Sequence, residues 1–485
     1  KSLNMKSSNG PWFPGTKRDY LCEDGSPNAV LEAYINSKLQ DIKTGVFKHQ
    51  YKLSLKDELR PIEKVLAGKR RLLWGCDVGL STACAMVFKN LFDDICNAAP
   101  YTGCAVGVDM DNVTTVRDLN QMFAGTHLVC ADYTKWDSTL HPHVIGLAVD
   151  ILMNFVVEDD LAIGVAKVLK SRPQGLLYDI VIPTEKGLPS GMPGTSVVNS
   201  ICHLVLFASS VLGVYQRCNA PYTGNVFQHE KVVTYGDDCV YGFCTATASR
   251  VGMFWDIMRS FGMKPTNADK TGDPTFTQHI QFLKRTIVLT GGHLLAALDK
   301  QSLERQLNWI KGPKTVTMEP IYPPDPVGRL DQIVNAVWRS AAWGPEYFAH
   351  FQARAAALAK AEHLPYTEVD YSEAIEVLTS ISSNSPEGGA VVYVMEGPDG
   401  PAQKAPMAEQ VQAADGAQSS TYGPPVLVNP TPPNVLAQAT AAAAATGDVG
   451  DNVPGEVKAT YVVAAYYTWN SRSRATLIVP GSVGS

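Results

Sequence analysis

Residues 232–241 read Val-Val-Thr-Tyr-Gly-Asp-Asp-Cys-Val-Tyr, with two adjacent carboxylates, Asp237 and Asp238, between two short apolar runs. Strand-forming residues on both sides of a glycine predict a β-hairpin that turns at Gly236. Adjacent acids in a turn are ordinary, because small polar residues favour loops. The pair therefore becomes a candidate site only if further carboxylates lie close to it.

A second apolar run, 128–132, ends in Asp132, and Asp137 follows five residues later. We expect a buried strand that ends at Asp132, and a turn that brings Asp137 back to the same cavity. The alternative for Asp137 is a helix N-cap. Acids at the ends of two neighbouring strands form an all-oxygen site suited to Mg²⁺. The sequence therefore predicts phosphoryl transfer.

A loop rich in glycine and proline, 187–194, precedes an apolar segment, 195–216, that we expect to be a helix. Such a loop has a fixed shape, and the first turn of a helix attracts anions. Ser190, Thr195 and Asn199 offer polar groups that suit a sugar hydroxyl. The alternative is an ordinary loop before a capped helix.

Residues 56–71 hold six basic side chains against three acids, whereas the whole chain carries a formal net charge of −6. Attraction to phosphate must therefore come from a local patch. A charge run is usually a solvated face. Here, however, the run leads directly into 72–74, which we expect to be a buried strand, and rigidly held cations bind triphosphates. The candidates are Lys56, Arg60, Lys64, Lys69 and Arg71.

At 485 residues the chain exceeds the size of a single core. Up to about residue 394 the pattern is α+β, with a helix pair in 143–170, a helix in 249–262 and a mostly helical region from 302 to 378. Residues 397–445 are dominated by Pro, Gly, Ala and Gln, which predicts disorder. Two strand-like runs follow, at 462–469 and 475–479.

The ten cysteines show no zinc-ligand spacing, so we expect neither a zinc site nor a disulfide framework, and scattered thiols suit a reducing compartment. The longest apolar stretch, about 204–215, is shorter than a membrane span. His141 and His143 resemble a metal pair without a third ligand. Lys270, Lys284 and Arg285 are weak signals individually.

Taken in order, these motifs resemble those of viral RNA-dependent RNA polymerases, specifically those of caliciviruses. The matching segments are 55–60, 68–75, 132–139, 187–200 and 235–238, followed by Lys270 and the turn 282–285. The resemblance covers nearly all of residues 1–394. It implies a right-hand polymerase with N-terminally truncated fingers at 1–130, a palm at 131–290 and a thumb at 291–394.

The resemblance also implies an activity, namely RNA-directed RNA synthesis that replicates and transcribes a positive-strand viral genome by two-metal nucleotidyl transfer. Mg²⁺ is the expected cofactor, with Mn²⁺ as a substitute, held by Asp132, the Tyr133 carbonyl, Asp237 and Asp238. Lys270 resembles the general acid of this family. Two groups of side chains are expected to bind the nucleotide: Lys56, Arg60, Lys69 and Arg71 at the triphosphate, and Asp137, Ser190, Thr195 and Asn199 at the 2′-hydroxyl.

In sapovirus- and lagovirus-like members the polymerase and the major capsid protein are continuous, and this chain resembles that junction. Glu396-Gly397 is the candidate cleavage bond for the viral cysteine protease. Residues 395–445 are then a junction and low-complexity capsid arm, and 446–485 the incomplete start of a β jelly roll that belongs to the virion. Other expected partners are RNA template and primer, nucleoside triphosphates, a genome-linked protein primer and further copies of the chain. The expected location is membrane-associated replication complexes in the host cytoplasm.

Two other classes of function remain open from the sequence. A reverse transcriptase shares the palm acids, although the polar groups at 190–199 suit ribose better. A catalytically inactive polyprotein fragment or capsid precursor is the second alternative.

Overall fold

Short strands and helices alternate along the chain. The computed structural model describes residues 5, 7–56, 58, 62–69, 71–308 and 326–380. Arg60, Glu396, Gly397 and the predicted capsid segments, 395–445 and 446–485, lie outside the described residues. The strands are β1 (Gln50–Leu55), β2 (Leu72–Gly75), β3 (His127–Tyr133), β4 (Gln174–Leu177), β5 (Ile180–Pro183), β6 (Lys231–Tyr235), β7 (Asp238–Phe243), β8 (Pro265–Asn267), β9 (Gln281–Phe282), β10 (Arg285–Thr290) and β11 (His293–Leu298).

The helices confirm the predicted α+β class and the individual helices expected from the sequence pattern. Two 3₁₀ turns accompany them, at Lys17–Tyr20 and Ala341–Trp343. The α-helices are α1 (Ala29–Thr44), α2 (Ile62–Leu66), α3 (Val78–Asn97), α4 (Val113–Met122), α5 (Trp136–Thr139), α6 (Pro142–Met153), α7 (Asp160–Lys170), α8 (Thr195–Arg217), α9 (Val226–His229), α10 (Thr245–Ala248), α11 (Val251–Ser260), α12 (Lys300–Asn308), α13 (Pro326–Ser340), α14 (Pro345–Ala361) and α15 (Tyr371–Ser380).

Local sequence explains where the predicted helix pair begins. The side chain of His141 accepts a hydrogen bond from the His143 backbone N–H, and Pro142 occupies the first position of α6, where its missing N–H costs nothing. Asp159 caps α7 by accepting from the Ala162 N–H at 2.8 Å. The histidine pair therefore starts a helix in this structure.

The acidic hairpin lies in an antiparallel sheet with strand order β6-β7-β3-β8. Alternate residues of its strands face two different cores. Val232 and Tyr241 pair with each other and belong to the core that holds α3, α6, α7, α8 and α11. Val233 and Val240 pair with each other and face a smaller core with α4, β9 and β10. Because both faces are covered, the position of the strand ends is fixed by packing on two sides.

Helix α8 runs through the larger core and contacts α6, α11 and β6. It is longer than the apolar stretch expected from the sequence. Its 23 residues are long and apolar enough to cross a membrane by length and composition, but 83% of its most apolar window is buried inside the protein. A core helix that is apolar on all sides meets the same criteria.

A second sheet has the order β2-β1-β4-β5, with β1 and β4 parallel and the other pairs antiparallel. It combines residues on both sides of the predicted boundary at 130/131, because the β4–β5 hairpin pairs with β1. The domain boundaries themselves stay predictions. The expectation that 72–74 is a buried strand is wrong, since Leu72 and Leu73 in β2 are 41% and 42% exposed.

The described C-terminal residues form helices α12 to α15 around their own apolar core. Arg329 of α13 is buried and holds this region together. Its guanidinium donates to both carboxylate oxygens of Glu362 at 2.7 and 2.8 Å, and to the Leu307 carbonyl at 2.6 Å. A planar fork of this kind fixes three segments at once.

Candidate active site

The hairpin turn brings Asp237 to the end of the strand that carries Asp132. Tyr235 pairs with Asp238, so Gly236 and Asp237 form the turn. Gly236 has a φ of +66°, which glycine adopts without steric cost. On the other side of β7, Cys239 pairs with Ala131, and Asp132 and Asp238 therefore end this ladder side by side. The acids predicted from two distant stretches meet at one edge of the sheet.

The carboxylates influence one another electrostatically. Burial raises the pKa of Asp237, and the charges of Asp132 and Asp137 raise it further. Burial also raises the pKa of Asp238 to about 7, with a smaller contribution from the charges of Asp132 and Asp237. Each ionised carboxylate disfavours ionisation of its neighbour. The cleft therefore favours the arrival of positive charge.

Lys270 already supplies one positive charge to this cleft. Its Nζ lies 2.8 Å from Asp132 Oδ2. The residue has a φ of +68°, and Asn267 stabilises the loop that presents it by donating to the Thr271 carbonyl at 2.9 Å. Partial burial lowers the pKa of Lys270, but the hydrogen bond to Asp132 and the charges of the three aspartates raise it overall. Lys270 is therefore held protonated beside the acids, where the sequence predicted a proton donor.

Asp238 points part of its carboxylate away from the other acids. Its Oδ2 accepts a hydrogen bond of 2.7 Å from the Leu283 N–H. Leu283 and Lys284 both have positive φ, at +51° and +58°, and form the turn between β9 and β10. Asp238 thus stabilises a strained turn in addition to lying beside Asp132, and its role as a metal ligand stays a prediction.

Asp137 and Asn199 lie together, as the sequence predicted. Asn199 Nδ2 donates to Asp137 Oδ1 at 2.5 Å, and Asn199 Oδ1 accepts from Trp136 Nε1 at 2.5 Å. The N-cap of α5 is Lys135, so Asp137 is not the helix cap. A methyl group at Gly236 would lie 3.3 Å from Asn199 Nδ2. This buried amide therefore connects Asp137 to the acidic turn.

The loop 187–194 packs tightly against β2. A Cβ at Gly191 would lie 1.6 Å from the Trp74 carbonyl oxygen, so only glycine fits. The Thr195 hydroxyl donates to the carbonyls of Pro189, at 3.1 Å, and Met192. Its proton is used within the loop, and its role at a sugar hydroxyl stays a prediction. Ser190 is exposed.

The basic candidates form a cluster around an acid that the sequence analysis did not single out. Arg71 donates through Nε to Glu58 Oε1 at 2.8 Å and through Nη2 to Glu58 Oε2. Lys56 Nζ lies 3.8 Å from Glu58 Oε2. Lys64 in α2 and Lys69, three residues after its end, are both exposed. The guanidinium fork of Arg71 is thus occupied by a carboxylate in this structure.

The oxygen donors at the strand ends suit Mg²⁺ in type. Among the described residues, no three His, Cys, Asp or Glu side chains are grouped closely enough to hold one ion together. Magnesium is commonly bound by one or two carboxylates and completes its shell with water and substrate phosphates. The negative charges of Asp132 and Asp237 repel each other across the cleft. Two such carboxylates suit an ion whose remaining ligands are water and phosphate better than an ion enclosed by protein ligands alone.

Sequence reasoning missed two side chains of α8 that bond to the acidic turn at Gly236. Ser200 Oγ accepts from the Gly236 N–H at 3.1 Å, and His203 Nδ1 lies 2.7 Å from the Gly236 carbonyl oxygen. The available signal was the spacing of Asn199, Ser200 and His203, which places three polar groups on one face of an otherwise apolar helix.

The sheet, its acidic hairpin and the surrounding helices define a right-hand polymerase. The solved structure of a Sicinivirus 3Dpol RNA dependent RNA polymerase has this fold, with a TM-score of 0.61, 22% sequence identity and coverage of 78% of each chain. A family model described as viral RNA-dependent RNA polymerase matches residues 1–360. The chain belongs to this family.

Curated relatives confirm the resemblance to caliciviruses. Genome polyproteins of Feline calicivirus and of its strain Cat/United States/Urbana/1960 are 35% identical over 387 residues and 36% identical over 382 residues, in each case 77% of this chain. The chain spans about a fifth, 21%, of the length of these polyproteins.

Proposed function

We propose that this chain catalyses RNA-directed RNA synthesis, transferring a ribonucleotide to an RNA 3′-hydroxyl and releasing pyrophosphate. The observation that supports it best is the meeting of Asp132, Asp237 and the protonated Lys270 at the end of one sheet. Membership of the polymerase family agrees with this chemistry.

Asp132 and Asp237 would hold divalent cations, with Asp238 and the Tyr133 carbonyl as further donors. When bound, Mg²⁺ supplies the positive charge that activates the 3′-oxygen and stabilises the leaving phosphates. The 3′-hydroxyl loses its proton to solvent and its oxygen bonds to the α-phosphorus, while the bond from that phosphorus to pyrophosphate breaks. Lys270 donates the Nζ proton to the leaving pyrophosphate, and a positioned donor of this kind contributes about 10²–10⁴-fold in rate.

Arg71 and Lys56, which surround Glu58, receive the triphosphate together with Lys69, and Arg60 and Lys64 are further candidates. Arg71 holds the Glu58 carboxylate through two guanidinium nitrogens. A phosphate presents the same bidentate geometry and can replace the carboxylate. Glu58 thus keeps the guanidinium oriented until a nucleotide binds.

Selection of ribose depends on Asp137 and Asn199. Their hydrogen bond is partly buried and lies beside the turn that carries Asp237. A site built to bind a hydroxyl rejects the deoxy analogue because its own polar groups then lack a partner. Ser190, which is exposed in loop 187–194, is a further candidate for contact with the 2′-hydroxyl. Thr195, whose hydroxyl donates inside the loop, has a smaller part in this proposal.

The biological setting is proposed from the resemblance to calicivirus polyproteins. RNA template and primer and nucleoside triphosphates are the substrates. A genome-linked protein primer, the viral cysteine protease acting at Glu396-Gly397, and further copies of the chain are the proposed protein partners. Synthesis takes place at membrane-associated complexes in the host cytoplasm, and the capsid portion ends in the virion.

Primer extension on a homopolymeric RNA template tests the function. We expect incorporation of the complementary ribonucleotide with Mg²⁺ or Mn²⁺ and none with a chelator. Preferential use of deoxynucleotides over ribonucleotides would instead indicate a reverse transcriptase. Absence of incorporation with either metal by protein that is folded and binds RNA would overturn the proposal.

A further inference from the structure

Helix α8 holds the acidic turn through the backbone N–H and the carbonyl oxygen of Gly236. Ser200 Oγ accepts from the Gly236 N–H at 3.1 Å. His203 Nδ1 lies 2.7 Å from the Gly236 carbonyl oxygen. Gly236 directly precedes Asp237, so a shift of this glycine moves the carboxylate with it.

The donors in this contact can be assigned from chemistry. A carbonyl oxygen only accepts, so His203 Nδ1 carries the proton. Burial lowers the pKa of His203 to about 4, which leaves the ring neutral and Nε2 free to accept from the Tyr241 hydroxyl. Tyr241 therefore accepts in turn from the Tyr133 hydroxyl, 2.9 Å away. One chain of hydrogen bonds runs from Tyr133 to Gly236.

This chain connects the two strand ends that carry the acids. Tyr133 follows Asp132 directly, and Gly236 precedes Asp237. The His203 ring is fully buried and stacks on Trp136 at 4.2 Å between ring centroids. A buried, fully bonded network has one arrangement, because any broken bond leaves an unpaired polar group.

We propose that His203 is a positioning residue that sets the separation between Asp132 and Asp237 through its contacts with Gly236 and Tyr241. The inference rests on the proposed function for its kinetic consequence, whereas its effect on metal binding can be measured independently. His203 acts through Gly236 and Tyr241 and not by direct contact with substrate or metal.

Two substitutions separate the two contacts of the ring. In His203→Asn the amide nitrogen is attached to Cγ, as Nδ1 is, and keeps the donation to Gly236. In His203→Gln the amide lies one bond further out and keeps the Tyr241 partner instead. Both lose the stacked ring, so a merely structural role predicts similar losses for the two variants.

The experiment measures three quantities for each variant: kcat and KM in primer extension, Mn²⁺ binding without nucleotide from the paramagnetic resonance signal of free Mn²⁺, and the melting temperature. We expect His203→Gln to lower kcat roughly tenfold relative to His203→Asn, because small misplacements of reacting groups have large kinetic effects. Mn²⁺ binding should weaken in parallel, while KM for the nucleotide and the melting temperature differ little between the two variants.

His49→Gln is the matched control, because His49 is also buried and neutral but bonds to Ser171 after α7 and to Tyr51 in β1, away from the acidic turn. It should lower the melting temperature and leave kcat and Mn²⁺ binding unchanged. Equal kcat and equal Mn²⁺ affinity in the Asn and Gln variants would overturn the proposal. If neither variant folds, Tyr241→Phe and Ser200→Ala decide. The first removes the hydroxyl that bonds to His203 and Tyr133, and the second removes the other side-chain bond to Gly236. Wild-type Mn²⁺ affinity in both would overturn the proposal.

The proposed function and this inference fail in different ways. If the wild-type chain makes no RNA, the proposed function is contradicted. If His203→Asn and His203→Gln still differ in Mn²⁺ affinity in that case, the positioning role is supported. RNA synthesis that is equally reduced in both variants contradicts the positioning role alone.

Discussion

Adjacent residues in the acidic turn have different surroundings. Asp237 faces Asp132 and Asp137, whose charges raise its pKa. Asp238 accepts a hydrogen bond from Leu283 and holds a turn of the next sheet. Substitutions at the two positions should therefore affect different properties of the protein.

Replacement of Asp237 by asparagine should remove almost all RNA synthesis, because the neutral amide cannot balance a divalent cation. The measurement is primer extension with Mg²⁺, and activity within about tenfold of wild type would contradict the metal role, since a group of this kind contributes several kcal/mol. Asp256→Asn is the matched control. Its side chain is 66% exposed on α11, and the variant should retain wild-type activity.

Removal of the Asn199 amide should reduce the preference for ribonucleotides. Asn199→Ala and Asp137→Ala each break the hydrogen bond between these two side chains. We expect either change to lower the discrimination between ribo- and deoxynucleotides by about 10–100-fold. The measurement is the ratio of kcat/KM for ribo- and deoxynucleotides. An unchanged ratio in both variants would reject this assignment. Mn²⁺ binding should be affected less than the ratio.

At the scale of elements, loop 187–194 is held against β2 by the absence of a side chain. Gly191→Ala would place a methyl carbon 1.6 Å from the Trp74 carbonyl oxygen. We expect the free energy of unfolding to fall by about 1–3 kcal/mol, because backbone must move to accept the methyl group. Urea denaturation measures this change.

Gly252→Ala is the matched control for the loop glycine. Gly252 is an exposed helix residue in α11, and a Cβ there meets no atom within 4 Å. Gly252 is the second residue of α11, where alanine is at least as favourable as glycine, so this variant should be no less stable than wild type. Similar losses in both variants would show that the fit against β2 is not the cause.

For the molecule as a whole, Asp111 connects segments that are distant in sequence. Arg285 in β10 donates to its Oδ1 at 2.6 Å, and Arg339 in α13 donates to both oxygens at 2.9 and 3.0 Å. Burial raises the pKa of Asp111, but the two guanidinium groups lower it overall. The carboxylate therefore stays ionised between two cations.

Asp111→Asn should lower the free energy of unfolding by about 1–3 kcal/mol, because it leaves two guanidinium groups without their charged partner. Chemical denaturation provides the value. Asp93→Asn breaks an exposed pair with Lys89 and should cost less than about 0.5 kcal/mol. Equal costs in the two variants would contradict a connecting role for Asp111.

The stability of the protein should also depend on pH through His49. Burial lowers its pKa to about 4, from 6.5 for an exposed histidine, and the hydrogen bond to Ser171 opposes this shift only in part. Below pH 6.5 the unfolded chain binds a proton that the folded chain does not, so stability is lost as the pH falls towards 4.

His49→Gln should therefore flatten the decrease in stability between pH 6.5 and pH 4 by an amount on the order of 3 kcal/mol, since each pKa unit corresponds to about 1.36 kcal/mol. Urea unfolding at several pH values measures the difference between the two curves. A parallel pair of curves would show that His49 does not titrate as proposed.

The sequence predicted the acids because their position is a local property. Apolar runs that end in Asp132 and Asp237 mark strand ends, and strand ends meet at the edge of a sheet. The helix pair in 143–170 and helix 195–216 followed from periodicity and capping in the same way. Such features depend on neighbours within a few residues, which the sequence displays directly.

The partners of each side chain were decided by the tertiary structure. The Thr195 hydroxyl, predicted to lie at the sugar, donates within its own loop, and its role as a ligand stays a prediction. The prediction that β2 is buried was wrong, because the strand is partly exposed. For His203 the sequence showed only that it shares one face of an apolar helix with Asn199 and Ser200, and not which groups it contacts. Sequence alone thus determined which residues stand at turns and strand ends. Only the packing of α8 beneath the hairpin determined what holds them there, because contacts across 30 or more residues depend on how whole elements meet.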